Sequence, residues 1–365
     1  MQLPPEAVHE AFLVPPAPRL PPPRFVVPVH VDPAGVAGPT RGQSRSKRWR
    51  PVAAGWVLPS EAPTQQPGQR IIEAVIGLPD GGAVTAWASL HLAGAEFVDG
   101  TTTSGESLPV HLLAPGFHRP RPGSSWSSAA LAEDEVVMRH GIRCTNIHRA
   151  LLDAICTLGD LREAVVIIDM VLHAELTSLA RFGAYLAGVP RRRGLRLARR
   201  ALALAVEGSE SPRETLMRLV WVLDAGLPPP LSNRTLWTPR RRFLARPDLL
   251  SPEAGVVAEY DGAFHLATSR RRIDITREER LRNHGLECIT FVAGQLQDRE
   301  SSARRMLAVV ARAGSARRAQ VWRFAPSGSE WSLDRRLELR ASVRSPYAVT
   351  ARDNPPAPPR VTSPR

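Results

Sequence analysis

Two short apolar runs in the C-terminal third carry three acids. They are Arg246-Pro247-Asp248-Leu249-Leu250 and Val256-Val257-Ala258-Glu259-Tyr260-Asp261, joined by Ser251-Pro252-Glu253-Ala254-Gly255. Apolar runs bounding a Pro- and Gly-containing turn predict a β-hairpin. If the turn is centred between Glu253 and Ala254, facing residues have numbers that sum to 507, so Asp248 lies opposite Glu259 and Arg246 opposite Asp261. Side chains alternate along a strand, which sends Asp248, Glu259 and Asp261 to one face. Opposed Cβ atoms stand roughly 4.5–5.5 Å apart, and like charges in that position repel. A cation relieves the repulsion. Hard divalent ions take oxygen ligands, and Mg2+ is held by one or two carboxylates with water and a substrate phosphate, which is the chemistry of phosphodiester hydrolysis. The plainer reading is a solvated sheet rim, with Asp261 paired to Arg246 and Asp261-Gly262 serving as a turn.

The residue string adds to the strand arithmetic. Asp248, a turn, then Glu259-Tyr260-Asp261-Gly262 and His265 resemble the Vsr-like (very-short-patch-repair) endonuclease branch of the PD-(D/E)XK nuclease superfamily. The flanks extend the likeness: Ser211-Pro212-Arg213-Glu214 opens a helix upstream, and Arg272, Asp274, Arg277, Leu281 and Gly285 precede an apolar strand downstream. The resemblance spans residues 209–300. It implies Asp248 and Glu259 as ligands of Mg2+ or Mn2+, Glu214 as an accessory acid and His265 near the scissile phosphate. It also implies DNA as substrate, with Arg272 and Arg277 on its phosphates. Each residue has a plainer role as well. Ser211 and Glu214 form an S-x-x-E capping box with Pro212 at the first helical position. His265 follows a strand end, where an imidazole is often only a polar loop residue. Asp274 and Arg277 are spaced as an intrahelical pair.

One departure bears on mechanism. The superfamily motif usually ends E-x-K, and here the lysine's place is Asp261; Lys47 is the only lysine in the chain. Water activation then falls to metal-bound hydroxide, with His265 or Asp261 as base. The same departure leaves open a domain that binds DNA and cuts nothing.

A formal charge of +13 favours polyanionic partners. That charge is almost all arginine, which forks bidentately onto phosphate. A run such as Arg191-Arg192-Arg193, Arg196, Arg199 and Arg200 is more often a solvated helix face than a DNA groove. Cys144, Cys156 and Cys288 give neither a disulfide framework nor a zinc pattern and read as small core residues of a reducing compartment. The start of the chain lacks a basic stretch and an apolar h-region, and no run approaches 18 uninterrupted apolar residues. A cytoplasmic location is expected.

The elements that must hold these residues divide the chain into four parts. Residues 1–38 are proline-rich and expected to be mostly disordered. In residues 39–205, Gly38-Pro39-Thr40-Arg41-Gly42-Gln43, Arg48-Trp49-Arg50 and Gly55-Trp56-Val57-Leu58-Pro59 resemble the end of the winged-helix region of AbiEi-type antitoxins. Thr145, Arg149–Asp153 and Asp169 resemble the middle of actinobacterial proteins that join such a front to a Vsr-like back. That likeness implies a second possibility, a non-catalytic DNA-binding regulator of the type IV antitoxin kind with a cognate toxin. Helices are expected at 69–77, 83–94, 146–158, 161–172 and 195–206, and a helix over 194–208 is expected to lead into the back half. Residues 206–313 read as the nuclease domain: a helix from Ser211, strands at Leu236–Trp237, Phe243–Leu250 and Val256–Asp261, a helix at 273–284, a strand at 287–292 and a helix at 301–313. Residues 314–365 are expected to be a largely disordered tail with a short element near 320–324. The fold class is α/β, mixed α+β, with a restriction-endonuclease-like sheet flanked by helices at the C-terminal end.

Overall fold

A computed structural model of the chain describes residues 25–116, 121–262, 268–316, 319, 321–324 and 332–344, with side chains of the helix beginning at 268 described from 276 onward and those of the last helix up to 341. In chain order the strands are β1 (Val29–His30), β2 (Trp49–Ala53), β3 (Trp56–Pro59), β4 (Ala83–Val84), β5 (Val110–Leu113), β6 (Ser124–Ser127), β7 (Val136–Arg139) and β8 (Ile142–Thr145). They continue as β9 (Leu231–Ser232), β10 (Leu236–Trp237), β11 (Phe243–Ala245), β12 (Leu249–Ser251), β13 (Val256–Asp261), β14 (Glu287–Val292) and β15 (Arg323–Phe324). The helices are α1 (Pro67–Val75), α2 (Ala86–Leu92), α3 (Ile147–Leu158), α4 (Leu161–His173) and α5 (Leu179–Gly188). The remaining five are α6 (Leu195–Leu202), α7 (Pro212–Leu219), α8 (Thr268–Asn283), α9 (Arg299–Ser315) and α10 (Leu333–Arg344). The protein is mixed α/β. Among the described residues no helix is long and apolar enough to cross a membrane.

The strands form four sheets: β1-β3-β2, β6-β5-β4-β8-β7, β14-β13-β12-β9 and β11-β10-β15. The second is mixed, with β5/β6 and β4/β8 parallel, and α2 to α6 share one apolar core with it. Local chemistry sets the helix ends. Asn146 accepts from the Arg149 N–H at 3.0 Å to start α3, and Gly159 ends it in the left-handed region at φ +68°. Asp160 then accepts from the N–H groups of Arg162 and Glu163, so only Gly159 and Asp160 separate α3 from α4. Leu151, Leu152, Ile155, Ile168 and Phe182 are fully buried by this packing.

Charge is buried in the same region. Arg149 and Asp153, each 5 % exposed, pair at 2.9 Å on α3; Arg149 also reaches Glu135 at 2.7 Å, and Asp153 accepts from Arg192 and from the Thr85 hydroxyl. The i,i+4 pair read from the sequence is therefore one edge of a larger network. Asp169 on α4 is wholly buried and accepts from Val206 N–H, Thr215 Oγ1 and Arg218 Nη2 at 2.9, 2.9 and 2.7 Å. Thr215 and Arg218 belong to α7, so this carboxylate fastens the middle region to the helix that opens the C-terminal one.

Four expectations need correction. Ala83–Gly94 is not one helix: Ala83 and Val84 form a buried strand, Thr85 turns the chain, and only 86–92 are helical. The helix expected over 194–208 covers 195–202 and gives way to turns. The single strand expected from Phe243 to Leu250 is two strands in two sheets, broken at Arg246-Pro247-Asp248; Pro247 has no N–H for a ladder. Order also reaches further at both ends. β1 pairs with β3 through Val29–Val57 and His30–Trp56, inside the segment expected to be mostly disordered. Residues 333–344, inside the tail expected to be largely disordered, form α10, with Leu333 2 % exposed and Asp334 bound to Ser178 and Arg181.

In the C-terminal region α7, β9, β12, β13, α8 and β14 follow one another with the β10–β11 hairpin inserted between β9 and β12. β9, β12 and β13 are antiparallel, and β14 adds parallel to β13 after the α8 crossover. Leu249, Val256, Ala258 and Phe291 face α7 and α9 with Met217, Trp221 and Met306. On the other face Leu250, Val257, Leu281 and Leu286 pack against Leu236, Leu244 and Ala245 of the small three-stranded sheet.

Candidate functional site

The hairpin has the expected register. Leu249 faces Ala258, Leu250 faces Val257 and Ser251 faces Val256, so each pair sums to 507. Extending it by one residue sets Asp248 against Glu259, and by alternation Asp248, Glu259 and Asp261 share the face of Leu250 and Val257. Gly255, at φ +64°, supplies the left-handed residue that closes the turn.

Asp248 stands where β12 leaves the ladder. Its backbone carbonyl turns to the Asn233 N–H at 2.9 Å, and its Oδ2 accepts from the Tyr260 N–H at 2.7 Å in place of a strand partner. Burial pushes this carboxyl up to about 6; the Tyr260 bond opposes the shift, Glu214 adds to it, and Arg277 opposes it. It is an acid short of compensating charge.

Glu259 is compensated. Arg277 of α8 pairs with it, Nη1 donating to Oε2 at 2.8 Å and Nη2 lying 2.6 Å from Oε1, with both side chains partly exposed. The Asp274 side chain, expected from spacing to pair with Arg277, lies outside the described residues. The same helix donates from Arg280 Nη2 to the Leu244 carbonyl at 2.6 Å, fixing β11 beside the site.

Glu214 realises its capping role. Its N–H donates to Ser211 Oγ at 3.3 Å, while its carboxylate accepts from Ser211 Oγ, the Glu210 N–H and Asn233 Nδ2 at 2.8, 2.9 and 2.6 Å. Asn233, held at φ +51°, thereby links the cap to Asp248. Arg246, expected opposite Asp261, donates to Glu210 Oε2 at 3.0 Å. Asp261 is exposed at the end of β13. His265 and the Arg272 side chain lie outside the described residues. Among the described residues no group of three or more His, Cys, Asp or Glu side chains is placed to hold a metal ion.

Sequence reasoning missed Arg277 as the partner of Glu259, and Asn233 and Tyr260 as the partners of Asp248. The first is a contact 18 residues apart in the chain, and the others use backbone groups that carry no residue signature. No protein-family model, curated protein or solved structure matches this chain.

Proposed function

We propose that residues 206–313 are a restriction-endonuclease-like domain of the Vsr kind that hydrolyses phosphodiester bonds in DNA with Mg2+ or Mn2+. The observation that carries this reading is a hairpin register that, continued by one residue, sets Asp248 against Glu259, with the next strand added in parallel through a crossover helix. That order of elements is what the resemblance implies. The donor set fits a hard cation in kind: Asp248 is under-compensated, and Glu259 already holds a positive group in Arg277. Asp248 and Glu259 would be the ligands, and a bound divalent ion supplies a water of lowered pKa and charge for the phosphate. Glu214 keeps the α7 start and the Asp248 loop in place. Asp261 and His265 are the groups in sequence reach of the attacking water's proton.

A second reading has its own observation. Arg277 takes both oxygens of Glu259, and the motif lysine is absent, which suits a nuclease-shaped domain that grips DNA without turnover, as in a type IV antitoxin with a cognate toxin. Nicking of supercoiled plasmid with Mg2+ or Mn2+ separates the two. The expected result is nicking by the wild type, with Asp248→Ala and Glu259→Ala each losing at least about a hundredfold in rate while DNA binding persists. Wild-type protein that binds DNA but never nicks it with any divalent ion leaves the regulator.

A further inference from the structure

The β11-β10-β15 sheet has one face packed and one open. Leu236, Leu244 and Ala245 are buried against the acid-bearing sheet. On the outer face the register sets Phe243, Trp237 and Arg323 side by side across the three strands, all exposed. Phe243 is 55 % and Trp237 38 % exposed, an unusual outlay of aromatic surface on adjacent strands. Their rings meet edge to face, with centroids 6.1 Å apart at 85°, so that contact covers at most one face of one ring.

The hairpin tip is basic. Arg240, Arg241 and Arg242 are consecutive and exposed. Arg241 is held in the left-handed region at φ +57° by a turn in which its N–H donates to the Thr238 carbonyl at 2.9 Å and the Thr238 N–H donates to the Arg242 carbonyl at 2.9 Å. The three arginines and Arg323 form no ion pair among the described residues, whereas Arg246, Arg277, Arg282 and Arg312 nearby each hold an acid. From Ala225 to Pro247 the chain has no Asp or Glu. Three unpaired guanidinium groups around a left-handed turn, beside two open rings, match a strand whose phosphates and bases must be met together. They match a protein partner less well, because the two rings are a small apolar area beside consecutive arginines in a stretch of chain without Asp or Glu.

We propose that this outer face binds single-stranded DNA, with an unpaired base stacked on Trp237 and Phe243 and its flanking phosphates on Arg240, Arg241, Arg242 and Arg323. β11 runs through Arg246-Pro247 directly into Asp248, and Arg280 on α8 anchors it one turn from Arg277. The platform is therefore joined to the acid-bearing hairpin by a short segment of chain. The substrate form that follows is a duplex with an overhang, gap or unpaired stretch. This specificity deepens the nuclease reading, but the stacking surface stands by itself.

The test is fluorescence anisotropy on the full chain with three probes: oligo-dT, a duplex carrying a dT overhang, and a blunt duplex of equal length. Base–aromatic stacking predicts that Trp237→Ala/Phe243→Ala loses at least about tenfold in affinity for the first two probes and less than about threefold for the blunt one. Trp237→Phe recovers most of the loss, which a misfolded variant would not do. Arg240→Gln/Arg241→Gln/Arg242→Gln is expected to lower the salt slope on oligo-dT by about 2, at roughly 0.7 per phosphate on single strands. Equal affinity of the double variant and the wild type for oligo-dT overturns the proposal. So does oligo-U bound at least tenfold tighter than oligo-dT, or a concentration-dependent dimer that the double variant abolishes. Asp248→Asn should retain the overhang preference. If the preference holds while no protein nicks DNA, the nuclease reading alone is lost; if nicking occurs without any preference, this inference alone is lost.

Discussion

In the middle region Asp153 and Asp169 have their oxygens matched to arginine, hydroxyl or backbone donors deep in the core, at 5 % and 0 % side-chain exposure. Asp248 and Glu259 use the same residue types with far less support. One carboxyl is half-buried with its charge under-compensated, and the other pairs with a partly exposed arginine of a neighbouring helix. The contrast separates two uses of buried charge. A buried carboxylate with both oxygens matched contributes a fixed geometry, because removing it strands its partners. A partly satisfied pair leaves room for an outside cation or anion to finish the count.

The largest expected effect falls on the satisfied side. Asp169→Ala strands Arg218, 4 % exposed, and should cost about 3–5 kcal/mol in a denaturant titration. A loss under about 1 kcal/mol would mean that the network is as loosely used as the hairpin site, and the contrast would fail.

The next effect has the opposite sign and depends on pH. The folded-state value of Asp248, about 6, lies above its ordinary 3.8. Between those values the unfolded chain gives up the proton that the folded chain keeps, so stability falls as pH rises through this window. Asp248→Asn can still accept from the Tyr260 N–H. It should therefore stabilise the protein by up to about 3 kcal/mol above pH 6 and by nothing below pH 4, at about 1.4 kcal/mol per unit of displacement. Thermal unfolding of both proteins from pH 4 to 8 reads this directly. A difference that does not vary with pH would remove the claim that this carboxyl is under-compensated.

The smallest stability effect should come from Arg277→Gln. A partly exposed ion pair is worth about 0–1 kcal/mol, so unfolding should barely change. Mn2+ affinity, followed by the loss of the free-ion EPR signal, should rise because Glu259 is released. If Mn2+ binding is the same in both proteins, Arg277 and a metal do not compete for that carboxylate.

Much of the candidate site was legible because its signals are local. Ser251–Gly255 fixes a turn and the turn fixes the register, so Leu249, Leu250 and Ser251 face Ala258, Val257 and Val256 as expected. Ser211 and Glu214 could be read as a cap for the same reason. Distance in sequence defeated the rest. Arg277 bonds Glu259, 18 residues away, and no local pattern marks that pair. Ala83–Gly94 is largely apolar, and a two-residue buried strand followed by a helix has the same text as one helix. At Phe243–Leu250 the information was present in Pro247, which breaks a ladder, but strand propensity on both sides masked it. The element near residues 320–324 was visible as a short run; its seat beside Trp237 was not, because pairing across more than 80 residues leaves no local mark.

The last described helix has a consequence for how the chain is made. Asp334 of α10 bonds Ser178 and Arg181 at the start of α5, and Arg336 reaches Glu175 at 3.1 Å, so partners 156 residues apart in one pair must meet. At synthesis rates of about 5–20 residues per second, the ribosome takes about 8–30 s to travel from one to the other. During that interval the middle region has all its own strands and helices but waits on its outer flank. The second region in sequence is therefore among the last completed in time, and a chain interrupted after the acid-bearing hairpin would carry its finished candidate site on an unfinished support.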